Sequence, residues 1–117
     1  MPRGELSGAA SLAAVAAGGA VGTLLRAGGL LLLPATPGAF PLATLAENLL
    51  GAFLLGCLVG VASRDPARSP ALRLFLGPGV LGSFTTFSAL AVDTVLLGPL
   101  AGSGYLGASL LGGLLAA

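Results

Sequence analysis

The chain contains no histidine, no lysine and no tryptophan, with a single cysteine, methionine and tyrosine among 117 residues. Without histidine, and with one thiol at Cys57, the usual donor sets for transition metals and the histidine-centred triads of hydrolases have nothing to build on. Cys57 has no partner for an intrachain disulfide, and its place in an apolar run reads as a small buried hydrophobe. Charge is scarce too: five arginines and four acids make up 8% of the residues and leave a net charge of +1. That is too little positive charge to neutralise the phosphates of a nucleic acid or an anionic surface. Neither an enzyme nor a nucleic-acid partner is expected from this inventory.

What the chain has instead is apolar length. Hydrophobic residues make up 56% of it, whereas a soluble domain carries roughly a quarter charged residues. Most of the chain therefore belongs in a lipid bilayer, as a single domain spanning residues 1–117. Proline and polar clusters divide it into four apolar stretches, at about 7–33, 42–62, 71–97 and 100–117. Each approaches the roughly 20 residues that a membrane-crossing helix needs. The breakers between them are "PATPGAFP" and "SRDPARSP", the latter the most polar segment of the sequence. The first stretch exceeds the apolar core of a signal peptide, and Arg26 near its far end argues for retention. The expectation is an all-α membrane protein of four transmembrane helices.

Glycine placement suggests how the helices pack. Gly18 and Gly22 are four apart on the first helix, as are Gly56 and Gly60 on the second, and small residues at that spacing let backbones approach closely in lipid. With 20 glycines such pairs also arise by chance, so close packing is predicted without singling out a pair.

The third stretch reads "GPGVLGSFTTFSAL" and puts Gly77, Pro78, Gly79 and Gly82 where a membrane helix ought to be continuous. Proline removes a donor and crowds the preceding turn, and glycine weakens the helix. A break at that depth survives only where the freed backbone groups face protein or water, and broken membrane helices commonly hold ions. Ser83, Thr85, Thr86 and Ser88 follow; their hydroxyls can serve an ion or simply satisfy the freed backbone. On the second helix Thr44, Glu47, Asn48 and Gly51 fall at i, i+3, i+4 and i+7, on one face. A polar group inside the membrane faces a pathway or a partner, and Asn48 is either pathway-facing or a structural cross-link. Asp93 lies in the apolar tail of the third stretch, and Tyr105 and Ser109 stand at i and i+4 on the fourth. Three helices thus each offer a polar stripe.

These features together resemble the Fluc/CrcB family of small bacterial fluoride channels, over nearly the whole chain. The matching pieces are "GGAVGTLLRAGG", "PLATLAENLLGAFLLG" and "GVLGSFTTFSAL". The resemblance implies an antiparallel dimer of four-helix subunits in the bacterial cell membrane, with the third helix broken mid-membrane and two fluoride pathways along the interface. It implies pathway roles for Asn48, Thr86, Phe87, Ser88, Tyr105 and Ser109. It also implies a structural sodium ion held by backbone carbonyls at Gly82 and Thr85, with Arg26 and Asp93 at the family's charged positions. Fluoride is small and strongly hydrated. Amide and hydroxyl donors can replace its water, and phenylalanine edges favour an anion without trapping it.

Two departures stand out. Leu90 occupies a position where the family often has a second phenylalanine, and Glu47 places a carboxylate beside Asn48, where it repels an anion unless protonated or turned into a neighbouring helix. A mid-membrane glutamate also suits a small proton-coupled multidrug exporter, but such a pathway needs aromatic residues to stack on cationic drugs, and this chain has five Phe, one Tyr and no Trp. A non-conducting partner subunit of a heterodimeric channel is the other alternative. Arg3, Arg64, Arg68 and Arg73 fall on one side of a four-span topology and Arg26 towards the other. By the positive-inside rule both termini are then cytoplasmic. A homodimer would need this chain to insert both ways, so a paired, oppositely oriented homologue is predicted.

Overall fold

The computed structural model describes residues 5–33, 39–65 and 68–117. Arg3 and parts of both polar breakers lie outside the described residues. The rest is helical: α1 (Gly8–Leu32), α2 (Leu42–Arg64), α3 (Pro70–Leu74), a π-helical segment (Phe75–Leu81), α4 (Gly82–Phe84), α5 (Phe87–Leu97) and α6 (Pro99–Ala116). Four spans among the described residues are long and apolar enough to cross a membrane: Gly8–Leu32, Leu42–Arg64, Pro70–Leu97 and Pro99–Ala116.

Local chemistry sets the ends. The Ser7 hydroxyl accepts from the Ala10 N–H at 3.1 Å to open α1, and Ser69 caps α3 with Pro70 at its first position, where the missing N–H of proline costs nothing. One residue, Gly98, joins the third and fourth spans. Its φ of +84° suits glycine, and Pro99 then starts α6 at once.

The third span is interrupted, but not at Gly-Pro-Gly. There the helix widens into the π-helical segment, with Pro78 inside it. Pro78 can make no i→i−4 bond and would crowd the carbonyl four residues back, a strain that a wider turn relieves. The true break comes later, at Thr85 (ψ 154°) and Thr86 (φ −147°), which are extended.

Packing is built on glycine. A side chain on Gly18 would strike the Phe75 carbonyl and the Cα of Gly79, and one on Gly22 would strike the Val80 carbonyl and the Ser83 hydroxyl. α1 therefore lies backbone to backbone on the π-helical segment and α4. The Ser83 hydroxyl sits 2.9 Å from the Gly19 carbonyl and bridges the two spans. Of the second glycine pair, Gly56 backs onto Ala117 while Gly60 touches nothing within 4 Å. α2 packs on α6, and α5 pairs with α6.

Little apolar side chain is enclosed. The buried hydrophobic residues are Ala43, Leu90 and Tyr105, whereas Leu100 is 91% exposed and a run of other leucines faces outward. Cys57 is exposed as well. This corrects the expectation of burial: Cys57 lies among the outward-facing residues Leu54, Leu55, Val59 and Val61 of α2. Such a surface is stable only against lipid or another membrane chain.

Candidate functional site

Asn48 organises the break. Its Oδ1 accepts from the Thr86 N–H at 2.8 Å and its Nδ2 donates to the Thr86 carbonyl at 3.1 Å. One side-chain amide from α2 thus satisfies both backbone groups of a residue 38 positions away. The Thr86 side chain caps α5 by accepting from the Ala89 N–H at 3.2 Å, and its hydroxyl also pairs with that of Ser88 at 3.2 Å.

These caps free two carbonyl oxygens. In an unbroken helix the Gly82 carbonyl would accept from the Thr86 N–H, and the Thr85 carbonyl from the Ala89 N–H. Both donors are engaged elsewhere, by Asn48 and by the Thr86 hydroxyl. Thr85 directs its own hydroxyl back to the Leu81 carbonyl at 2.9 Å. Gly82 is exposed. Hard oxygen donors freed in this way are the kind that hold a group 1 or group 2 cation.

Beside the break is a recess of about 220 Å³ lined by Asn48, Thr85, Thr86, Phe87, Leu90 and Ser109. Phe87, the first residue of α5, points outward at 76% exposure, while Leu90 is buried at 5%. Ser109 is buried and its hydroxyl has no hydrogen-bond partner among the described residues. Tyr105 is fully enclosed at 0% exposure. Its hydroxyl lies near Ser109 without hydrogen-bond geometry. Phe40 covers it edge-on, with ring centroids 5.6 Å apart at 87°. Tyr105 does not line this recess.

A second recess, about 490 Å³, holds the charged groups. Arg26, Thr44, Glu47, Thr86, Ser88 and Asp93 all contribute to its wall. Thr86 belongs to both recesses, so the two meet at the break. Glu47 does not share the surroundings of Asn48: its Oε1 lies where a Cβ on Gly29 would be, tucked against α1. The Glu47 residue is 7% exposed, and this oxygen has no hydrogen-bond partner among the described residues. Arg26 lines the same recess as Glu47, with no direct ion pair between the two. Gly51, on the same face of α2, makes room for the Thr85 methyl.

The polar stripes foreseen on three helices therefore converge, though on two recesses. Ser83 uses its hydroxyl on backbone carbonyls, one of the two uses its sequence context offered, whereas Gly29 and Phe40 are contacts that the sequence did not mark. Ser83 stood in the polar cluster without a sign of its direction, and the other two gave no signal apart from the partners they meet.

A chain with four helices long and apolar enough to span a membrane, one interrupted where polar side chains gather, falls in the class of multi-pass membrane proteins. The chain belongs to the family of CrcB-like proteins, described as Camphor Resistance (CrcB), whose model matches residues 13–117. It is 48% identical over 109 residues to "Fluoride-specific ion channel FluC" of Stutzerimonas stutzeri, covering 89% of this chain and 88% of that one. It is 52% identical over 82 residues to "Fluoride-specific ion channel FluC 2" of Thermobifida fusca, covering 70% of this chain. A third relative, "Fluoride-specific ion channel FluC 2" of Symbiobacterium thermophilum, is 49% identical over 87 residues, 74% of this chain and 71% of that one. The match spans 61% of the Thermobifida protein's own length.

Proposed function

We propose that this chain is a subunit of a passive fluoride channel that lets cytoplasmic fluoride leave a bacterial cell across its plasma membrane, with no enzymatic step. The observation that carries the reading is the capped start of α5, which opens onto the recess shared by Asn48, Phe87 and Ser109. A helix N-terminus carries partial positive charge and favours an anion. Only one of the two Asn48 amide protons is used on Thr86, so the other remains for a ligand. The unpartnered hydroxyl of Ser109 is a further donor. No arginine lines this recess, which suits an ion that must leave as readily as it enters.

The working unit in this reading is an antiparallel dimer. Phe87 stands out from the subunit at 76% exposure, and in this reading the second subunit covers its ring. The freed carbonyls of Gly82 and Thr85 on an exposed face suit a structural sodium ion shared between two subunits. Leu90 supports a narrower version, in which a paired homologue supplies a complete set of aromatic edges and this chain contributes fewer contacts.

Growth of a bacterium lacking its own fluoride export tests the reading. Cells making this chain, alone or with a related partner, are expected to tolerate fluoride that stops the parent strain. Equal sensitivity, with both chains shown to reach the membrane, would overturn it.

A further inference from the structure

Glu47 is a carboxylate that an anion pathway does not call for. Its Oε1 is buried against Gly29 with no hydrogen-bond partner among the described residues, and Arg26 lines the same recess. Arg26 and Gly29 are three residues apart on α1, so they share the face turned towards α2. The recess that holds Arg26 and Glu47 also holds Asp93 from α5, together with Thr44, Thr86 and Ser88. One arginine and two acids therefore line the recess that meets the pathway at Thr86. An arginine with no counter-charge would hold an anion tightly and slow its departure.

We propose that Glu47 sets how strongly the outer recess holds an incoming anion, by taking up part of the Arg26 charge. The proposal rests on the channel reading and adds a specificity-determining residue to it. Glu47 weakens anion capture at the mouth, so occupancy rises only at higher fluoride. Arg26 is the group through which it acts, and Asp93 provides the remaining counter-charge.

Fluoride release from proteoliposomes decides the matter, measured over a range of fluoride concentrations. Glu47→Gln keeps shape and removes charge. It is expected to raise the rate at low fluoride about three- to tenfold, the effect of releasing the Arg26 guanidinium from one counter-charge so that it turns to the ion in a partly wet site, and to lower the half-saturating concentration by a similar factor. In an Arg26→Gln background the same change is expected to do nothing. A purely structural glutamate predicts the opposite, slower release and a less stable assembly. The proposal is overturned if E47Q assembles like the wild type but gains nothing, or gains equally without Arg26. If E47Q does not assemble, Glu47→Val is read the same way. Failure of both to assemble makes Glu47 structural and also overturns the proposal. A wild-type protein that releases no fluoride is a separate outcome, which removes the channel reading itself.

Discussion

At the scale of single residues, Asn48 joins structure to function because its amide is both acceptor and donor at Thr86. Asn48→Asp keeps the acceptor but loses the donor, and it places a negative charge where the anion is proposed to pass. At a few ångströms and an effective dielectric near 20, that charge opposes an anion by roughly 3–4 kcal/mol. Fluoride flux is expected to fall about a hundredfold or more with the assembly retained, as read by liposome release and by elution on size exclusion. Unchanged flux would leave Asn48 as a cross-link alone. Phe87→Ile keeps bulk and removes the ring edge, with an expected loss of about three- to tenfold. A polar Asn in an apolar helix was legible in the sequence. Its partner was not, because nothing local reveals a contact across 38 positions.

Among the elements, the third span shows how a correct local signal can mislead about place. Gly77, Pro78 and Gly79 marked an irregularity, and the chain there does abandon α-helical geometry, but it widens instead of breaking. The break three residues beyond Gly82 depends on long-range hydrogen bonds from α2, which sequence spacing cannot encode. The four spans themselves were legible, since prolines and charges bound runs of suitable length. The Gly18 and Gly22 pair was legible as a pattern, and the structure shows what it meets. Gly22→Leu is expected to push α1 away from Val80 and Ser83 and so prevent assembly; the readout is loss of the monodisperse peak in detergent. Gly60→Ala, at a position with open space, is the control and is expected to assemble normally. Equal behaviour of the two would remove the glycine contact from the account.

For the whole molecule, the outward leucines and the exposed Phe87 leave an apolar surface suited to lipid, and the proposed channel adds a partner subunit to it. Arg64 ends α2 and Arg73 lies in α3, with Arg68 between them, so three arginines cluster at one end of the molecule. Arg26 sits in the last third of α1, towards the opposite end. With the arginine-rich end cytoplasmic, a reporter fused to the carboxyl end is expected inside the cell only. An even split between inside and outside would instead restore a homodimer of dual topology. The central claim is passive, selective fluoride conduction, and its most direct measurement is ion release from liposomes loaded with fluoride or chloride. The pH is equal on both sides, and a potassium ionophore balances charge. The account predicts rapid fluoride release and chloride release no faster than from protein-free liposomes. Release of both ions at similar rates, or fluoride release that appears only when a pH gradient is imposed, would contradict it.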